Sequence, residues 1–160
     1  MSDVYISGSL THTPREMWDI YEKIGKVVEE FGLKPYIPHI HTPQNINRSV
    51  EQITNSHTDF DDTDAIHKDI FHNDVSFVEK SKLVIAEVST PSIGAGVELG
   101  IAFKGGKPVI FLAKKDTVVS SFVKGPVQSG LAHLIRYENE EDALSQLKTL
   151  LETKFKSLIE

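Results

Sequence analysis

The sequence predicts an α/β fold: a doubly wound, Rossmann-like or flavodoxin-like domain built on a central parallel sheet of about five strands. Three observations predict it. Short, continuously apolar runs such as Leu83-Val84-Ile85-Ala86 and Val109–Leu112 are typical of parallel strands covered on both faces. Between them lie longer stretches whose apolar residues recur at helical spacing. The two kinds alternate along the chain, and successive parallel strands are joined by right-handed helical crossovers. At 160 residues the chain is read as a single domain, 1–160, large enough to bury a core without cross-links.

Val4 to Ile6 is a short β-branched and aromatic run that stops at Gly8 and reads as the first buried strand. Thr13-Pro14-Arg15-Glu16 reads as a helix start, with Thr13 as N-cap, Pro14 at the first position and Glu16 three residues after the cap. The stripe Met17, Ile20, Tyr21, Ile24, Val27, Val28, Phe31 follows, and Gly32 closes it. Tyr36 and Ile37, between prolines, are a second strand. From His39 to about Asp64 the chain is polar and without sustained period, so a long loop with one short helix near Val50–Ile53 is expected. Asp64 to Lys80 is helical, with Ile66, Ile70, Phe71, Val75 and Val78 on one side. The Leu83–Ala86 strand comes next, then a helix begun by Glu98 to Phe103, the Val109–Leu112 strand, and a terminal amphipathic helix over Leu144–Ile159.

Composition excludes several kinds of function. There is no cysteine, hence no disulfide, thiolate metal site or cysteine nucleophile. A formal net charge of −6 argues against a nucleic-acid polymer as partner, since affinity for polyphosphate comes mainly from clustered Lys and Arg. A small phosphorylated ligand stays compatible, because backbone N–H groups bind phosphate without net positive charge. No apolar run reaches the roughly 20 residues of a membrane-spanning helix, and no secretory leader is apparent; a cytoplasmic location is expected.

In doubly wound sheets, ligands bind beyond the carboxyl ends of the strands. Ser7-Gly8-Ser9 and the segment Ser89–Gly96 both fall there. Ser92, Gly94 and Gly96 match neither a dinucleotide fingerprint nor a P-loop; they are either an anion cradle or a tight strand-to-helix turn. Glu98, flanked by Val97 and Leu99, is either a partner of a helix dipole or a catalytic carboxylate. Asp74 supplies a second carboxylate near the same strand, and two carboxylates in one pocket can divide nucleophile and acid roles. His39, His41, His57, His67 and His72 match no standard zinc spacing, Asp59–Asp64 is no calcium loop, and no metal or other cofactor is expected. Trp18 is expected to pack in the core. Ser7 and Ser9 lack the nucleophile-elbow context of a serine nucleophile.

Three stretches carry a resemblance: VYISGS at Val4–Ser9, DVSFVEKSKLVIAEVSTPSIGAGVELGIA at Asp74–Ala102, and GKPVIFL at Gly106–Leu112. Together they resemble the nucleoside 2-deoxyribosyltransferase superfamily, and within it the 2'-deoxynucleoside 5'-monophosphate N-glycosidases. The resemblance covers nearly the whole chain except the His39–Asp64 segment. It implies Glu98 as nucleophile, forming a covalent deoxyribosyl intermediate at C1', and Asp74 as the group that protonates the departing base. It implies Tyr5 as the residue that positions nucleophile and sugar. Ser7, Gly8, Ser9, Ser92, Gly94 and Gly96 are implied in substrate binding, with Ser9, Ser92 and the backbone near Gly94 at the 5'-phosphate. Ser120 matches a serine that the neighbouring subunit contributes to that phosphate, which implies a homodimer with shared sites.

One departure is visible. The mammalian-type hydrolases have an arginine two residues beyond the serine of the first loop, where this chain has Thr11 followed by His12; Lys124 or His12 is the available substitute. True deoxyribosyltransferases have acidic residues where this chain has Thr90-Pro91-Ser92, and an acidic loop would repel phosphate. The resemblance thus implies hydrolysis of nucleoside 5'-monophosphates first, base exchange on deoxyribose second, and a non-catalytic nucleotide-binding module third.

Overall fold

A computed structural model of the chain describes residues 1–11 and 13–160. His12, named above as a substitute for the missing arginine, lies outside the described residues. Five parallel strands form one sheet: β1 (Val4–Ser7), β2 (Pro35–Tyr36), β3 (Leu83–Glu87), β4 (Val109–Lys114) and β5 (Ala132–Tyr137). Their order across the sheet is β2-β1-β3-β4-β5, so the winding reverses between β1 and β3. That is the flavodoxin-like order, and the crevice at the reversal is where such sheets hold ligands. Both glycine- and serine-bearing loops, after β1 and after β3, open there.

Side chains alternate faces along each strand, and the core divides accordingly. Val4, Ile6, Leu83, Ile85, Ile110 and Leu112 face α1 (Asp19–Glu30) and α7 (Glu140–Lys154). Tyr5, Val84, Ala86, Val109 and Phe111 face the opposite layer, formed by α4 (Ile66–Lys80), α5 (Ile93–Lys104) and α6 (Ser121–Gln128). This alternation places Tyr5 under α4 and α5. Trp18 packs in the first core, 4% exposed, as expected.

Several boundaries differ from the sequence reading. Thr13 does not cap a helix: Pro14 is extended (φ −53°, ψ 145°), a 3₁₀ turn runs Arg15–Trp18, and α1 starts only at Asp19. The Trp18 indole N–H donates to the Thr13 carbonyl at 3.2 Å, which ties this segment to the turn. Met17 is consequently exposed rather than in the stripe, while Gly32 does end the region, at φ 74°. The His39–Asp64 segment contains two helices, not one: α2 (Pro38–Asn45) and α3 (Val50–Ser56). Hydropathy misses α2 because its buried residues are His39, Thr42 and Pro43. α3 carries a reciprocal capping box between Ser49 and Gln52, a readable S-x-x-Q signal.

The helix over the site begins five residues earlier than expected. Ser92 Oγ accepts from Ala95 N at 3.2 Å, so Ser92 is the N-cap and Gly94 and Gly96 lie inside α5. Glu98 therefore stands in its second turn rather than at its start. Two further elements have no sustained apolar period in the sequence: α6 contains Gly125 and Pro126, and β5 is a half-exposed edge. The terminal helix breaks at buried Phe155, after which α8 (Lys156–Ile159) packs separately.

Candidate active site

Tyr5 and Ser7 are two residues apart on β1, so both point to the α4–α5 side of the sheet. Both end on Glu98. The Tyr5 hydroxyl donates to Glu98 Oε1 at 2.8 Å, and Ser7 Oγ donates to Oε2 at 2.5 Å. Ser7, expected at the substrate, thus has its hydroxyl on the carboxylate instead. Each oxygen of a carboxylate has two lone pairs, so Glu98 still presents an acceptor on each. Burial pushes its pKa up from 4.5 to about 7; the Ser7 and Tyr5 hydrogen bonds oppose the rise and the charge of Asp74 adds to it. Burial, with the adjacent Glu98 charge, drives the Tyr5 phenol far above the usual tyrosine range, so it stays protonated and keeps donating.

Asp74 reaches the same crevice from α4. Its Oδ1 accepts from Thr42 Oγ1 at 2.6 Å and from Asn73 Nδ2 at 2.9 Å. Burial raises its pKa, and the hydrogen bonds from Thr42 and Asn73 hold that rise back. Tyr36, register partner of Tyr5 across the parallel pair, stacks on it at 5.5 Å and on Phe77 at 4.0 Å. Burial pushes the Tyr36 phenol up to about 12.

Beyond β1, Gly8 is required by packing, because a Cβ there would stand 2.4 Å from the Tyr21 ring. The Tyr21 hydroxyl donates to the Ser9 carbonyl at 2.8 Å, which fixes the loop. Ser9 Oγ is buried and has no hydrogen-bond partner among the described residues. Thr11, where an arginine was noted as missing, shares a 3.3 Å hydrogen bond with His57 Nδ1. A Cβ on Gly96 would meet nothing within 4 Å, and one on Gly94 only Ser92 Oγ at 3.8 Å. This chain's own packing therefore asks for neither glycine. Ser120 is exposed, caps α6 through Phe122 N at 3.1 Å, and is not brought to the other residues.

Sequence reasoning missed Thr42 and Asn73, which donate to Asp74, and Tyr36, which pairs with Thr42, since they meet only after α2, α4 and β2 pack. It also missed Glu87, which ends β3 with its carboxylate buried, accepting from the Tyr137 hydroxyl at 3.0 Å and from Ser89 Oγ. That carboxylate ties the β3–α5 loop to β5. The histidines have local duties: His39 Nε2 bonds Glu22 Oε1 at 3.0 Å, and His41 Nδ1 accepts from Ile37 N at 2.8 Å.

The sequence model of the family described as nucleoside 2-deoxyribosyltransferase matches residues 4–148. A Thermofilum pendens protein that carries the name 2'-deoxynucleoside 5'-phosphate N-hydrolase 1 is 31% identical over 52% of this chain; the match spans 59% of that relative's length. The 5-hydroxymethyl-dUMP N-hydrolase of Danio rerio is 26% identical over 98% of this chain and 97% of its own. Among solved structures, a 2-deoxyribosyltransferase from Bacillus psychrosaccharolyticus superposes with a TM-score of 0.64 at 13% identity, covering 98% of this chain and 96% of that one. At that identity the superposition speaks for the fold alone.

Proposed function

This chain belongs to the nucleoside 2-deoxyribosyltransferase family, and from that membership and the site geometry we propose that it hydrolyses nucleoside 5'-monophosphates. The products are a free base and (deoxy)ribose 5-phosphate. The observation that carries the reading is the carboxylate pair: Glu98 held by Tyr5 and Ser7, facing Asp74 held by Thr42 and Asn73. Glu98, ionised, attacks C1' while the bond from C1' to the base nitrogen breaks. The bonding pair leaves with the base, which takes the proton of Asp74. Water then attacks C1' of the glycosyl ester, Asp74 accepts its proton, and Glu98 is released. Two hydroxyls on Glu98 hold its oxygens in place for attack, so orientation is built in before substrate arrives.

Phosphate recognition is supported by three features. The N-terminus of α5 offers backbone N–H groups, Ser9 offers a buried hydroxyl without a partner among the described residues, and Gly94 and Gly96 leave open space. No carboxylate stands in Ser89–Ser92. The names of these relatives refer to N-hydrolases of nucleoside 5'-phosphates, which agrees. Base exchange is the second reading, favoured by one observation: position 11 is Thr, bonded to His57, so the arginine that clasps phosphate in hydrolases is replaced. Chemistry is the same up to the glycosyl-Glu98 intermediate; an acceptor base then replaces water.

We further infer a homodimer in which Ser120 of the second copy completes the phosphate site. Ile93 (90% exposed) and Val97, one turn apart on α5, and Phe122 (88%) on α6, two residues from Ser120, are exposed apolar side chains that a second copy would cover. The deciding experiment incubates the pure protein with nucleosides and their 5'-monophosphates, with and without a second free base. Release of base from monophosphates alone supports the hydrolase; exchange on plain nucleosides supports the transferase.

A further inference from the structure

Asp74 is clamped on one side only. Its Oδ1 accepts from Thr42 Oγ1 at 2.6 Å and Asn73 Nδ2 at 2.9 Å, which occupies both lone pairs of that oxygen. Thr42 is 1% exposed on α2, and Asn73 precedes Asp74 on α4. The donors are themselves ordered. Because the Thr42 hydroxyl proton is committed to Asp74, the Tyr36 hydroxyl, 2.9 Å from Thr42 Oγ1, is the donor of that pair. The Tyr36 oxygen in turn accepts from Asn73 Nδ2 at 2.6 Å. The donors thus run in one sense, from Asn73 to Tyr36 to Thr42 and on to Asp74 Oδ1, and Tyr36 is locked between Tyr5 and Phe77 by stacking.

We propose that Thr42 and Asn73 are positioning residues that hold Asp74 by Oδ1, so that its proton resides on Oδ2, and that they set how readily the proton leaves for the base. The proposal rests on the acid role given to Asp74 above. An acid proton on Oδ1 would face two donors, whereas on Oδ2 it is free to transfer. Hydrogen bonds to the carboxylate also stabilise the form left after transfer. The other titratable groups turned toward Asp74 are Glu98 on α5, Tyr5 on β1 and Tyr36 on β2, with His41 on α2 behind Tyr36 at 5.2 Å between rings. Burial keeps both tyrosines and His41 neutral near pH 7, so among these groups it is Glu98 whose charge changes there.

The test compares Thr42→Val, which keeps the shape and removes the donor, with Thr42→Ser, which keeps the donor. Asn73→Ala removes the second donor separately, should the buried Thr42→Val fail to fold. Carboxyl NMR titration of Asp74 reads the clamp without turnover. In Thr42→Val and in Asn73→Ala the Asp74 carboxyl is expected to titrate at higher pH than in wild type, and in Thr42→Ser as in wild type. On a nucleotide with a poor leaving base, kcat/KM is expected to fall about 10- to 100-fold in Thr42→Val. With a nitrophenyl leaving group, which needs no proton, it should fall little. An unshifted Asp74 titration, or equal losses on both substrates, would overturn the proposal. A wild-type chain that shows the titration contrast but cleaves no nucleotide would overturn the proposed reaction and leave the clamp standing.

Discussion

At Glu98 two influences on one carboxylate oppose each other. Burial disfavours the charged form, Tyr5 and Ser7 favour it, and a pKa of about 7 against 4.5 says that burial prevails. Between those two pH values the folded chain binds more protons than the unfolded one, so stability falls as pH rises through that window and levels off above it. The loss is at most about 3 kcal/mol, at 1.36 kcal/mol for each pKa unit. Glu98→Gln should remove this dependence: urea unfolding of wild type at pH 5 and pH 8 should show the decline, and the variant should not. Parallel curves for the two proteins would refute the assignment. The same ionisation should appear as an acid limb near pH 7 in kcat/KM if Glu98 is the proposed nucleophile, which reacts as carboxylate. Glu98→Gln should abolish turnover, and a 2-fluoro-arabinosyl analogue should leave an adduct on Glu98 by mass spectrometry. For Asp74→Asn the loss should be large with poor leaving bases and small with good ones; a uniform loss would make Asp74 a positioning group instead.

Helix α5 is an uneconomical helix for its own sake. Gly94, Gly96 and Gly100 lie in its interior, each costing about 1 kcal/mol relative to alanine. Steric need within the chain does not explain Gly94 or Gly96, since a Cβ at either has room. Gly94→Ala should therefore raise the unfolding midpoint while lowering kcat/KM on the monophosphate more than on the plain nucleoside. A substitution that stabilises and leaves the phosphate preference intact would remove Gly94 from the phosphate site. Ser92→Ala is a less clean probe than its sequence context implies. Ser92 caps the helix, so about 1 kcal/mol of stability goes with the hydroxyl. The monophosphate should exceed its nucleoside in kcat/KM by about 100-fold, near 3 kcal/mol of transition-state stabilisation, and Gly94→Ala should erode that ratio.

Across the whole molecule, Phe122 on α6 and Ile93 on α5 are almost fully exposed, and the proposed dimer would cover them and bring Ser120 to the partner's site. Light scattering at micromolar concentration should return a dimer, and Phe122→Glu should shift it toward monomer with loss of turnover. Mixing Glu98→Ala chains with Ser120→Ala chains, each inactive, should restore one working site per mixed dimer. A monomeric wild type with full activity would exclude the shared site. Among the described residues, no helix is long and apolar enough to cross a membrane.

The residues by themselves determined the parallel sheet and the place of the site. Short continuous apolar runs bounded by turn residues are typical of strands covered on both faces, and their alternation with helices leaves little choice of winding. Glu98, Asp74 and Tyr5 were named as candidates from their resemblance to a family pattern, and the fold brings them to one crevice. What the tertiary structure alone decided is who holds them. Ser7 serves Glu98 because the two-residue period of β1 puts it on the same face as Tyr5. Thr42 serves Asp74 from a helix whose buried side is polar, so no hydrophobic period announced it. The start of α5 depended on one hydroxyl, Ser92 Oγ, reaching Ala95 N, and glycines after it read as loop until that bond was seen. Hydrophobic pattern is a property of the chain and fixes layers; hydrogen-bond partners distant in sequence exist only once the layers have packed.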